Sequence, residues 1–242
     1  MSNGLGGYET PSALPRYVQI SETLIREIAA GHLADGSRLP PERQMAVEME
    51  VSVGTLRKAL DLLVDQKLLE RIQGSGNYVR ARQDVNSVYS MFRLENVQGG
   101  GLPTAQVLSV DRLLKPQDFP EFGASVEGFR IRRLRRLDKI PMAIEEIWLD
   151  GGYIETLNAS DLSDSLYLFY RQQLGLVIGH AEDRIGVANV PEWAPTEFDH
   201  DVGQAVGYIE RVSWSQAGTR AEYSRTWFDY NKARYISRLG KG

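Results

Sequence analysis

Residues 39–79, LPPERQMAVEMEVSVGTLRKALDLLVDQKLLERIQGSGNYV, constrain the fold more than any other stretch of this chain. Two short helical patterns meet across a tight turn and a Gly-rich hairpin follows, with a cationic residue in each piece. Pro41 is placed to open the first helix, where its missing N–H costs nothing, and Met45 and Ala46 face inward. Ser52 is a fitting N-cap for the next helix, whose buried side is Leu56, Leu60 and Leu63. Leu69 to Ile72 and Asn77 to Arg80 read as strands joined by a QGSG turn. Upstream, Ile20, Leu24 and Ile28 recur every four residues, Ile25 and Ala29 widen the stripe, and Gly31 sits where a helix would stop. Three helices and a β-hairpin wing over residues 14–82 make a winged helix-turn-helix that grips DNA.

Buried leucines cannot read bases, so the face carrying Thr55, Arg57 and Lys58 is the one to enter a major groove. Arginine suits guanine edges and phosphates because its fork donates two parallel bonds. Gly74 and Gly76 let the wing backbone approach a phosphate closely, and Arg71 and Arg80 flank them. Each residue also has a plainer reading, as a solvated helix charge or as hairpin punctuation. Residues 14–82 hold ten Lys/Arg against nine Asp/Glu, so bulk charge does not decide; the ordered combination does. The whole-chain charge of −4 excludes a histone-like coat but not a local basic face. With no cysteine, disulfides and thiolate–metal sites are excluded, which fits a reducing cytosol. No apolar run nears the ~20 residues of a membrane span. The start, MSNGLGGYETPSALP, has no apolar core, and residues 1–13 are expected to be a disordered tail of a cytoplasmic protein without a membrane partner.

These motifs resemble the GntR family of bacterial transcription regulators, whose signature runs LPxERxLA, VSxxTxRxAL and GLLxRxxGxGxxV. The chain supplies LPPERQMA from Leu39, VSVGTLRKAL from Val51 and LLERIQGSGNYV from Leu68, without gaps. The resemblance implies operator contacts from Arg43, Ser52, Thr55, Arg57, Gly74 and Gly76, to which the helix face adds Lys58. Many members have Arg directly after the Ser; Val53 stands there instead, so readout shifts toward Arg57, Lys58 and the wing.

After a linker at residues 83–89, residues 90–242 read as a second domain. Runs such as VLSVDRLL, GFRIRRLRRLDKIPMAIEEIWL and AVGYIERVSWSQAGTRAEYSRTWFDY are strand-like, with turns at Asp138–Pro141 and Gln216–Thr219. Helical patterns are fewer, around Leu166 to Leu174 and Glu192 to Phe198. An antiparallel sheet with peripheral helices follows, and the chain as a whole is of the α+β class. Strand alternation puts Arg133 and Arg135 on one face, where two guanidiniums can converge on an anion. They can equally pair with Glu145 and Glu146 across the hairpin.

This half resembles the UTRA ligand-sensing domain of the HutC-type GntR subgroup, a chorismate-lyase-like fold. The motifs are Arg133-Leu134-Arg135, Pro141-Met142-Ala143-Ile144-Glu145, Ser165-Leu166-Tyr167 and Ala221-Glu222-Tyr223-Ser224. The resemblance implies an effector site from Arg133, Arg135, Glu145, Ser165, Glu222 and Tyr223, with Phe92 and Tyr230 at its margin. Family members end with a motif like RGDR, where this chain has DYNKAR from Asp229. Paired arginines want carboxylate or phosphate, and Glu145 and Glu222 want hydroxyls or an amine, so the expected effector is a small polar anion such as a phosphorylated sugar or an amino-acid-like metabolite.

Other classes fit less well. The scattered His32, His180 and His200 offer neither a catalytic triad nor a metal-ligand spacing, against a lyase-like enzyme and against a metal-dependent, all-helical effector domain. An aminotransferase-like domain does not fit in the second half. The expectation is therefore a ligand-responsive repressor without cofactor or metal, binding double-stranded palindromic operator DNA as a homodimer.

Overall fold

The computed structural model describes residues 14–80, 89 and 91–238. The expected tail lies outside the described residues, as does the expected linker apart from Tyr89. Helix α1 (Arg16–Ala30) ends at Gly31, whose φ of 83° is the left-handed cap that glycine adopts most cheaply. Helix α2 (Glu42–Glu48) follows Pro41, and α3 (Val53–Asp65) is capped by Ser52, whose hydroxyl accepts from the Thr55 N–H at 3.1 Å. Ile20, Leu24, Ile25 and Ile28 of α1 pack on Leu56, Leu60 and Leu63 of α3. Strands β1 (Leu69–Ile72) and β2 (Gly76–Val79) pair as the wing.

The second half is built on a six-stranded antiparallel sheet of β4 (Pro103–Leu114), β5 (Glu127–Leu137), β6 (Ile140–Asp150), β7 (Ile178–Asn189), β8 (Ala205–Ser215) and β9 (Arg220–Phe228). Its order is β4-β5-β6-β9-β8-β7. A separate small ladder joins β3 (Leu94–Asn96) to β10 (Ala233–Tyr235). The β5–β6 turn has positive φ at both Asp138 and Lys139, the primed geometry that matches the twist of a hairpin.

Helix α4 (Leu166–Phe169) continues as a π turn to Leu174 and covers one sheet face with Leu157 and Leu162. Val190 and Phe198 pack with Leu134, Ile144 and Trp227 on the other. The helix expected over Glu192–Phe198 is only a 3-10 turn at Thr196–Phe198, because Pro195 four residues after Pro191 interrupts the helical ladder.

Candidate functional site

The β5–β6 register sets Arg133 directly opposite Glu145 and Arg135 opposite Ala143, all on the α4 side of the sheet. Arg133 donates from Nε (3.1 Å) and Nη2 (2.7 Å) to one oxygen of Glu145; Arg135 Nε stands 3.7 Å from the other. Arg135 is 2 % exposed and also donates from Nη1 to the Asp164 carbonyl at 2.8 Å. Burial raises the Glu145 pKa, but the two guanidiniums outweigh it and hold the carboxyl below its usual range. Burial likewise lowers the Arg135 pKa, against the pull of Glu145.

Two donors remain over. Among the described residues, Arg133 Nη1 and Arg135 Nε are buried without a hydrogen-bond partner. Both residues line a cavity of about 90 Å³, several times the space one water needs. Its wall includes Ser165, Arg211, Glu222, Ser224 and Thr226, with Tyr89 and Phe92 from the segment before β3. Ser165 is also the N-cap of α4, accepting from the Leu168 N–H at 3.4 Å.

Glu222 is enclosed by hydroxyl donors, Tyr170 at 2.7 Å, Tyr167 at 3.0 Å and Ser213 at 3.1 Å. Burial raises its pKa and those of both tyrosines. Arg211, which lines the wall together with Arg93, is tied to Asp183 by two bonds of 2.5 and 2.7 Å.

The expected set is thus brought together except at its end. Tyr223 points through the opposite face, where its hydroxyl donates to Glu210 at 2.7 Å and its ring packs on Phe119 and Trp148. It follows Glu222 directly in a strand, so the two cannot share a face. Glu146 is on that opposite face too, bonded by Arg132 and Arg225 instead of the pocket arginines. Tyr230 is half-exposed and does not line the cavity, whereas Phe92 does.

On α3 the exposed positions Gly54, Arg57, Lys58 and Asp61 follow helical spacing and form one stripe, with Thr55 half-buried beside it. Arg57 Nε is held by Glu42 at 2.6 Å. Arg43 and Lys58 are exposed and, among the described residues, have neither hydrogen bond nor ion pair. In the wing, Arg71 pairs with Asp61 and Arg80 with Glu70. Gly74 and Gly76 have φ of 74° and 130°, and a Cβ on Gly76 would lie 3.1 Å from Arg38 Nε. Arg38 therefore lies over the wing, a cation the sequence pattern did not single out. Val53 packs its side chain against the domain core, so the start of α3 presents no cation there.

The two halves touch through α1. Arg26 is buried and donates to the carbonyls of Gly101 and Leu94, both at 2.6 Å. Its guanidinium lies 5.5 Å from the Phe92 ring centroid, and Arg135 lies 4.4 Å from the same ring. His32 bridges the Glu27 carboxylate at 2.7 Å and the Gln98 carbonyl at 2.8 Å. Nothing local in the sequence marks Arg26, whose acceptors lie 68 and 75 residues away.

Residues 16–79 match the bacterial regulatory proteins of the gntR family, and residues 98–234 match the UTRA domain. The chain belongs to the gntR family. It is 56 % identical over 230 residues to the HTH-type transcriptional regulator SmoD of Agrobacterium fabrum, covering 95 % of this chain and 98 % of SmoD. It is 30 % identical over 227 residues to the mannosyl-D-glycerate transport/metabolism system repressor MngR of Escherichia coli, covering 89 % of this chain and 92 % of MngR. The crystal structure of the possible transcriptional regulator YydK of Bacillus subtilis shares the fold, with a TM-score of 0.52 at 20 % identity over 94 % of this chain and 100 % of that one. This gntR-family chain is a transcriptional regulator of the GntR/UTRA type, not an enzyme. No helix among its described residues is long and apolar enough to cross a membrane.

Proposed function

We propose that this regulator is a cytoplasmic repressor that binds a palindromic operator as a homodimer. A small anion, a sugar phosphate or a carboxylate, occupies the cavity at Arg133 and Arg135 and controls that binding. The observation that carries the effector class is the pair of buried N–H groups on Arg133 and Arg135 that make no hydrogen bond among the described residues. An unsatisfied buried donor on a charged group costs more than the ~1–3 kcal/mol of a neutral one, and an anion removes that cost while balancing the second guanidinium. The hydroxyl-rich wall at Ser165, Ser224 and Thr226 suits a polyhydroxylated body. Repression is supported by MngR, itself a repressor.

Arg43, Thr55, Arg57, Lys58 and the wing glycines take the operator, with Ser52 fixing the start of α3. Arg57 exchanges Glu42 for a base edge or phosphate. The effector signal runs from Arg135 through the Phe92 ring to Arg26 on α1. Thermal unfolding against a panel of phosphorylated sugars and small carboxylates tests the reading. A ligand at 100 times its Kd should add about 2.7 kcal/mol of stability, and an Arg133→Ala variant should lose that increment. Equal stabilisation of the variant contradicts the assignment.

A further inference from the structure

The wing is wider than its two strands. Residues 37–39 run beside β2: the Val79 N–H donates to the Ser37 carbonyl and the Leu39 N–H to the Asn77 carbonyl, both at 2.9 Å, and Arg38 pairs antiparallel with Tyr78. Strand alternation sorts the side chains. Asn77 and Val79 are buried on the face that meets α3, where Arg71, opposite Asn77, pairs with Asp61. Arg38, Tyr78 and Gly76 share the outer face. There the Arg38 guanidinium lies along Gly76, since a Cβ on that glycine would stand 3.1 Å from Nε, 3.6 Å from Nη2 and 3.8 Å from Cζ. The three wing arginines differ in their partners. Arg71 and Arg80 are neutralised by Asp61 and Glu70. Arg38 is exposed and, among the described residues, its side chain has neither hydrogen bond nor ion pair.

We propose that Arg38 anchors the wing to the DNA backbone, binding a phosphate beside the groove that α3 enters, and that Gly76 serves by seating its guanidinium. The proposal rests on the reading that α3 and the wing lie on the operator, and it adds a residue from outside the LPPERQMA motif, which begins one position later. Arg71 and Arg80 must each give up a carboxylate before they can take a phosphate. Arg38 gives up only water. The two ladder bonds on either side hold its backbone, and the bare glycine beneath the guanidinium leaves it little freedom to lose on binding. A guanidinium matches a phosphate with two parallel N–H donors. Because the outer face turns away from α3, the group Arg38 meets is backbone phosphate and not a base edge. It therefore adds affinity and register without sequence readout.

The test is a fluorescence-anisotropy titration of the full-length protein over a range of salt concentrations. Two duplexes are used, one of random sequence and one selected by the protein from a random pool. Arg38→Gln should weaken binding to both by the same factor and make the slope of log affinity against log salt shallower by about 1 for each copy bound. Its far-UV spectrum and Tm should match the wild type. Arg38→Lys, which keeps the charge, should retain the wild-type slope. A slope that Arg38→Gln leaves unchanged refutes the anchor, and Lys58→Ala in the same series shows which reading has failed. If Lys58→Ala alone makes the slope shallower, the DNA face stands without Arg38; if neither variant moves it, both readings fall. A loss confined to the selected duplex would make Arg38 a base reader. Equal loss in Arg38→Lys and Arg38→Gln would make it a packing residue over Gly76, and either result overturns the proposal.

Discussion

Replacing Glu145 by Gln separates what the pocket arginines need for folding from what they offer a ligand. In the wild type one carboxylate serves both guanidiniums, at 2.7 Å from Arg133 and 3.7 Å from Arg135. Removing one partner of a buried pair costs about 3–5 kcal/mol. Gln keeps an acceptor oxygen for Arg133, so about 3 kcal/mol is expected. For a domain of this size that is a fall in Tm of about 6–12 °C. Anion affinity should move the other way: a carboxylate ~6 Å from a bound anion repels it by about 3 kcal/mol at an effective dielectric of ~20. Sulfate or inorganic phosphate should therefore bind at least about tenfold tighter to Glu145→Gln.

The pH dependence carries the same sign. The arginines hold the Glu145 pKa below the ordinary ~4.3, so its contribution is complete above that value. It is lost as pH falls through the lower folded value, and Glu145→Gln should lack this acid-side loss. Differential scanning calorimetry with and without sulfate measures both quantities. A Tm within 2 °C of wild type, or weaker sulfate binding by the variant, would refute the reasoning.

Other consequences follow from the same geometry. Arg26→Ala should leave operator affinity within about twofold but collapse a ligand coupling of about 1–3 kcal/mol, read by operator titration with and without ligand; full coupling in the variant removes Arg26 from the relay. Lys58→Ala should weaken specific and non-specific DNA alike and lower the salt slope by about 1, whereas a sequence-selective loss would make it a base reader. Both ring nitrogens of His32 face acceptors, which only the imidazolium satisfies, and the hydrogen bond to Glu27 raises its pKa. The contact with Gln98 should therefore be complete below the ordinary ~6.5 and fade as pH rises through the higher folded value. An NMR titration placing the His32 pKa at or below 6.5 contradicts this.

Most of the N-terminal half was legible because its signals are local. Ser52 caps α3, Gly31 ends α1 in the left-handed region, and the leucine spacing of α3 matches its buried face. In the second half, alternation correctly paired Arg133 with Arg135, and the same rule applied to Glu222 and Tyr223 would have kept only one of them in the pocket. The choice of Glu145 over Glu146 as the partner depended on register, which the two-residue turn at Asp138–Lys139 sets and residue types alone do not. Arg26, Asp164 and Arg211 were illegible for a different reason. Each acts across long stretches of chain, mostly through backbone carbonyls or buried partners that no short motif encodes.

The most direct test is an operator-affinity titration of the full-length protein, in the absence and presence of a stabilising sugar phosphate, for wild type and Arg133→Ala in parallel. The account predicts equal affinity for the two proteins without ligand and a five- to 150-fold weakening by ligand in the wild type alone, the range of a coupling of about 1–3 kcal/mol. An Arg133→Ala protein that responds to the ligand as the wild type does, or a wild type whose operator affinity ignores every anion that binds it, would contradict the claim that this pocket governs the DNA-binding face.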